Sequence, residues 1–479
     1  MSYTVAQNTS FLTAASVGQK FISFGYFLVI ARLIGAENTG VYFFAIAFTT
    51  IFSMIADFGL SPVLTREIAK SPDNAKEYFR AVLGIKFFSA LCAYGLLILS
   101  AYALGYPQIT RNLIILSGVT MLFDNLHISF YAFFKARKNL TFEAFGMVGS
   151  QLLTLIIGSV ALWQKWPLIW LIAAYTIPSA GNALYAGICL RRQEKVTFWP
   201  KWDRGVVKIF LIAAIPFALA NILNRLYSYT DSILMSKLLT ARELGWWSLP
   251  YKITFAFQFI PIALASSIYP VFSELYSAQK EKIFPLFEKG WRYLFAVSFP
   301  LVFGIAAIAP GFITKFYGVE YAPSVPVLQV LLFSMIFVFL HYVSGAFLNA
   351  SGRQRLQTIT VAVALLVSLS GNLILLPRIG IMGAAFSSLI SSLVMFVLGF
   401  WFVRRVLAVD IRVIFQRFNQ TFWPAAIMGA AVYFISARFS FIAAIPCGAI
   451  IYAALLFVFG FWNKQTVLTI RAKVFPPSV

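Results

Sequence analysis

Ala31-Arg32-Leu33-Ile34-Gly35-Ala36-Glu37-Asn38-Thr39-Gly40 lays over Ser236-Lys237-Leu238-Leu239-Thr240-Ala241-Arg242-Glu243-Leu244-Gly245, a second copy 205 positions along the chain. The same offset sets Ser16 on Asn221, Lys20 on Arg225 and Ser23 on Ser228. Further on, Ala132-Phe133-Phe134-Lys135-Ala136 matches Ala346-Phe347-Leu348-Asn349-Ala350 at offset 214, and Arg191-Arg192 matches Arg404-Arg405 at offset 213. The chain is therefore a duplication whose loops have changed length. Whatever one half builds, the other builds again.

Composition says what is repeated. Sixty per cent of the 479 residues are hydrophobic and 11% charged, with mean hydropathy +0.83, whereas soluble domains carry about 25% charged residues. Uncharged runs such as Phe87 to Thr110, Trp166 to Leu190, Ile379 to Val403 and Phe439 to Asn463 are long enough to cross a bilayer as helices. They are too long for barrel strands, which run to about ten residues and alternate. At roughly twenty residues per crossing, the sequence holds about fourteen spans. The expected fold is an all-α polytopic membrane protein. It has an N-terminal six-helix bundle over 1–208, a C-terminal six-helix bundle over 209–405, and two extra helices with a tail over 406–479. The longest connection, Arg191 to Lys208, carries Trp199, Pro200 and Trp202 and joins the halves. Because each half has an even number of spans, the repeat is parallel, about an axis along the membrane normal.

A net charge of +22 invites a nucleic-acid reading, but its distribution opposes one. Most of the 38 Lys and Arg residues fall on one set of alternate connections and in the C-terminal tail. By the positive-inside rule this predicts both termini in the cytoplasm and no nucleic-acid partner. The first apolar stretch carries Gln19 and Lys20, so it reads as an uncleaved anchor and not as a signal peptide. Cys92, Cys189 and Cys447 lie in spans without paired spacing and are expected as small apolar core residues.

Polar residues interrupt the apolar helices on one face. Thr9, Thr13, Ser16, Lys20 and Ser23 share a stripe of the first span, and Asn221, Arg225, Ser228 and Ser232 form its counterpart in the seventh. A cation at mid-bilayer costs about 2.5–3.5 kcal/mol. Two at matching sites therefore point to a wet chamber for something anionic. The competing reading, interhelical hydrogen bonding in a dry bundle at about 1 kcal/mol per contact, suits the Ser and Thr residues. It gives no use for an unpaired charge. Lys252 either snorkels outward or adds a third cation, and Lys86 is expected to snorkel.

Five residues are candidates for ion coupling. Asp124 lies deepest, one turn from His127. Asp57 sits near the cytoplasmic end of the second span and is expected to pair with Arg66 or Lys70. Asp231 lies six residues from Arg225, about 240° around the helix, so the two do not pair along it. His127 and His341, the only histidines, coincide at offset 214. They read either as a titratable pair near the cytoplasmic end of a cavity or as packed, hydrogen-bonded histidines.

The motifs carry a resemblance. Ile30-Ala31-Arg32-Leu33-Ile34-Gly35 with Gly40, Ala56-Asp57-Phe58-Gly59-Leu60 followed by Arg66-Glu67-Ile68, Asp231, Gly245 with Tyr251-Lys252-Ile253, and Gly380-Ile381-Met382-Gly383-Ala384-Ala385 together resemble the bacterial polysaccharide transporters of the MOP flippase superfamily, the Wzx-type O-antigen and exopolysaccharide repeat-unit flippases. The resemblance covers nearly the whole chain. It implies two six-helix bundles in a V around a cationic cavity, in the bacterial inner membrane. It further implies translocation of an undecaprenyl-diphosphate-linked oligosaccharide to the periplasmic leaflet by alternating access, with Lys20 and Arg225 receiving the diphosphate. An H+ or Na+ gradient would drive it without a cofactor, and a polysaccharide polymerase of the same pathway would be a partner. One departure stands out: the second span holds no Lys or Arg, which disfavours a lipid II flippase.

Two other functions are weighed against this one. A MATE-type multidrug antiporter would want an acidic lining for cationic substrates. A membrane glycosyltransferase or polymerase would need catalytic acids in a sizeable extracytoplasmic loop. The connections here are short, so the chain is expected not to be an enzyme.

Overall fold

In a bilayer each backbone N–H and C=O must find its partner within its own segment, which turns long apolar runs into helices. The computed structural model describes residues 5–461, and side chains there except those of 5–14 and 17. It is 89% helical, with no strand among the described residues. The helices are α1 (Val5–Asp57), α2 (Leu60–Lys70), α3 (Ala75–Ala103), α4 (Gln108–Ala136), α5 (Thr141–Trp163), α6 (Ile169–Glu194), α7 (Arg204–Leu238), α8 (Ala241–Ala256), α9 (Phe259–Ala278), α10 (Ile283–Tyr317), α11 (Ser324–Ala350), α12 (Gln354–Ile379), α13 (Ile381–Arg404), α14 (Ile411–Arg438) and α15 (Phe441–Val458).

Each expected span coincides with helix. Among the described residues, eleven helical segments are long and apolar enough to cross a membrane, and the first of these, Gly18–Lys70, takes in the second expected span and most of the first. Helices α6 and α14 are as long but less apolar. The first two spans are joined without a loop: α1 continues through Gly35, which bends it with φ 77° and ψ 171°. That left-handed φ needs a residue without a Cβ. In the second repeat the same position is Thr240, and α7 stops just before it, with Leu239 extended. Thr240 then opens α8 through a reciprocal cap: its N–H and hydroxyl donate to Glu243 Oε2 at 2.9 and 2.8 Å, and Glu243 N–H donates back to Thr240 Oγ1 at 3.3 Å. Both copies break helix at one register position by different chemistry.

The second expected span also breaks, at Phe58 and Gly59, which have φ of 46° and 71°. This is where Ala56-Asp57-Phe58-Gly59-Leu60 falls, so the motif marks the corner between α1 and α2.

The chain divides into two compact units, Met1–Ser248 and Leu249–Val479. Their internal packing repeats. In the first unit α4 packs on α6, α5 on α6, α3 on α4, and α1 on both α3 and α4. In the second unit α11 packs on α13, α12 on α13, α10 on α11, and α9 on both α10 and α11, the same pairs six spans later. The sequence repeat ends at 208, but α7 packs against α1, α2 and α3, which carries it into the first unit. The joining connection is shorter than expected because α6 extends to Glu194 and Asp203 caps α7, accepting from Gly205 N–H at 2.8 Å and Val206 N–H at 3.0 Å.

In the second unit, the two extra helices attach through α10. Phe299 meets Phe418 and Phe422 edge-on at 5.2 and 5.6 Å between ring centroids. Arg417 Nε donates to Glu288 Oε1 at 2.5 Å, and Arg292 donates to the carbonyl of Phe461 at 2.6 Å. The cysteines depart from expectation. Cys92 and Cys447 are exposed and Cys189 is half-buried. In lipid an apolar side chain gains nothing by leaving the helix surface, so apolar character alone did not dictate burial.

Candidate functional site

Helices α1 and α7 pack together in the first unit, and Gly59, just beyond α1, lies against Ala214 and Ala218 of α7; the stripe from Thr9 to Ser23 belongs to the part of α1 before the bend at Gly35. Lys20 and Arg225 are both exposed, as is Asn221, while Ser16, Ser23 and Ser228 are half-buried. Ser16 Oγ lies 3.7 Å from the sulfur of Met147 on α5. The stripe is therefore graded: the hydroxyls are half-buried while the two cations are exposed. Thr9 and Thr13 lie outside the residues whose side chains are described. Asp231 is buried in α7, 6% exposed, and Ser232 beside it is 1% exposed. Lys252 is half-buried on α8, in the second unit.

Gly40 of α1 meets Gly245 of α8, the helix that follows α7. A Cβ on Gly40 would overlap the carbonyl oxygen of Ala241 and stand 2.8 Å from Gly245 N; one on Gly245 would overlap the carbonyl oxygen of Ala36. The quoted repeat thus packs on itself, backbone to backbone. Beside it Tyr106 Oη and Ser236 Oγ are 2.9 Å apart, and Lys237, which donates to the carbonyl of Leu104, lies 3.6 Å from the Tyr106 ring centroid.

A second polar cluster sits where α1, α2, α3 and α4 meet. Lys86, expected to snorkel, is instead 2% exposed. Its Nζ pairs with Asp57 Oδ1 at 2.7 Å and donates to Ser61 Oγ at 2.9 Å and to the carbonyl of Asn125 at 3.2 Å. All three ammonium protons are used, which is how a buried lysine escapes an uncompensated desolvation cost. Asp57 also accepts from Ser61 Oγ. The expected partners Arg66 and Lys70 both turn to Glu67, at 2.7 and 3.3 Å. They lie on α2, beyond the corner at Phe58 and Gly59. Lys86 comes from another helix, so the pairing is invisible to local spacing.

Asp124 accepts from Ser179 Oγ of α6 at 2.5 Å, and its Oδ1 is 3.7 Å from His127 Nδ1. Sequence reasoning missed Ser179, whose only signal was its place near Asn182 in an otherwise apolar run. His127 is on α4 of the first unit, and His341 is 5% exposed on α11 of the second. Gln357 Nε2 and His341 Nε2 are 3.0 Å apart, and a Cβ on Gly399 would come within 2.8 Å of His341 Nδ1. No group of His, Cys, Asp and Glu that could hold a metal occurs among the described residues.

Residues 5–276 match the family model described as "Polysaccharide biosynthesis protein", and residues 252–447 match that of "Lipid II flippase MurJ". The chain is 25% identical to the teichuronic acid biosynthesis protein TuaB of Bacillus subtilis over 55% of its own length and 57% of that protein's. It is 20% identical to the capsular polysaccharide biosynthesis protein CapF of Staphylococcus aureus over 84% of its length and all of CapF. Among solved structures it resembles the lipid II flippase MurJ in an inward closed conformation, with TM-score 0.77, 14% identity, and coverage of 94% and 98% of the two chains. A likeness at that identity is one of fold, and it meets the expectation of the MOP architecture. The basic residues missing from the second span bear on ligand, not on fold.

Proposed function

Because this chain belongs to the polysaccharide biosynthesis protein family and folds as a multi-pass MOP-superfamily protein, we propose that it is a flippase for an undecaprenyl-diphosphate-linked oligosaccharide. The observation carrying this reading is the pair of exposed cations, Lys20 and Arg225, at equivalent positions of the two repeats. A diphosphate crossing the hydrocarbon needs positive charge at depth, and each such cation is too costly there to keep without a use. In this reading the chain makes and breaks no covalent bond. It lies in the inner membrane with both termini cytoplasmic, alternates access between leaflets, and draws on an H+ or Na+ gradient, with Asp124 as the carboxylate that loads. A polymerase of the same pathway takes the product.

The test is reconstitution. Vesicles containing the purified chain should speed the appearance of a fluorescent undecaprenyl-diphosphate oligosaccharide on the opposite leaflet; a rate equal to that of protein-free vesicles would sink the reading.

A further inference from the structure

The connection between α6 and α7 does more than join repeats. Arg80 Nε of α3 donates to the carbonyl of Trp199 at 2.8 Å, and Lys201 Nζ pairs with Glu77 at 2.6 Å. Phe198 packs on Phe130 of α4 with ring centroids 5.2 Å apart, and Trp202 packs on Phe88 at 5.4 Å. Gly84 lets Pro200 and Trp202 settle onto α3, since a Cβ there would come within 3.1 Å of Pro200. The segment is thereby pinned as an arch across one end of α3 and α4.

Under the arch lies a cavity of about 840 Å³, walled by Phe87, Leu91, Leu122 and Leu126, and lined also by Arg191 at the end of α6 and Thr197 of the connection. That volume falls within the roughly 300–1,000 Å³ of small-molecule sites. From Leu83 to Leu91 the α3 wall runs about 12 Å at 1.5 Å per residue. Phe87 and Leu91 are 58% and 46% exposed, so the cavity opens sideways where the bilayer must lie. Lys86 at its base is fully engaged with Asp57, Ser61 and Asn125. The guanidinium of Arg191, exposed and lining the cavity, makes no hydrogen bond or ion pair among the described residues.

We propose that this groove binds an anionic phospholipid, one acyl chain lying between α3 and α4 and the phosphate against Arg191. An apolar trough open to lipid accepts a chain, and a guanidinium with no side-chain partner beside it accepts an anionic head. Lipid of this class is at hand in the surrounding leaflet. The site is separate from the stripes on α1 and α7, so it stands or falls apart from the transport reading.

Native mass spectrometry of the full chain in detergent, titrated with phosphatidylglycerol or phosphatidylcholine, tests it. The wild type should hold one phosphatidylglycerol in preference to phosphatidylcholine. Arg191→Gln should weaken that binding about fivefold, the contribution of roughly one cation near an anionic lipid, and Arg191→Lys should retain it. Leu91→Trp should weaken both lipids by filling the trough. Equal binding by wild type and Arg191→Gln, displacement by millimolar inorganic phosphate, or preference for a polyprenyl phosphate would each overturn the assignment.

Discussion

Gly40 and Gly245 occupy the same position of the two repeats and lie against each other's helices, each leaving no room for a Cβ beside the partner copy's backbone. Overpacking at such a contact costs about 1–3 kcal/mol. Gly40→Ala and Gly245→Ala should each lower the melting temperature of the purified protein, and the double variant should lose less than the sum, because one separation of the helices serves both methyls. Unchanged melting in both single variants would show that the backbones do not meet.

The pair of buried Lys86 and half-buried Asp57 makes a different prediction. Removing one partner of a buried ion pair strands the other, typically at about 3–5 kcal/mol, whereas replacing both can be near neutral. Asp57→Asn alone should therefore destabilise strongly, and Asp57→Asn with Lys86→Met should recover much of the loss. A double-mutant cycle by thermal unfolding measures the coupling, and strict additivity would mean the pair is not formed.

Lys20→Ala and Arg225→Ala should each abolish complementation of a flippase deletion while membrane abundance stays at the wild-type level. Lys20→Arg should be partly tolerated, since it keeps the charge. Full complementation by both alanine variants would remove these cations from ligand binding.

Asp124 receives its hydrogen bond from Ser179 and lies beside His127, which is an arrangement able to hold or release a proton. In vesicles with an imposed pH gradient, Asp124→Asn should transport at a rate the gradient no longer changes. A wild-type response in that variant would move the coupling site elsewhere.

What the sequence disclosed followed the length of each signal. Long uncharged runs and the matched decapeptide sufficed for the spans and the duplication, because both are properties of contiguous chain. A boundary near Gly35 was legible, but not that helix continues through it as a bend, and the corner at Phe58 and Gly59 lay inside what read as one span. The partner of Asp57 was missed because Lys86 lies on another helix, and no local rule reaches across helices. Of the proposed ligand stripe, sequence spacing gave the shared faces; how far each side chain is covered depends on neighbours such as Met147 that only the fold supplies.

Helix α7 is counted with the second repeat in sequence and with the first unit in packing, where it touches α1, α2 and α3. Expressed as two separate polypeptides cut within residues 195–203, the N-terminal piece would lack a helix its unit packs against, and the C-terminal piece would carry that helix outside its own unit. Covalent fusion removes that problem of stoichiometry, since every first unit is made with its borrowed helix already attached.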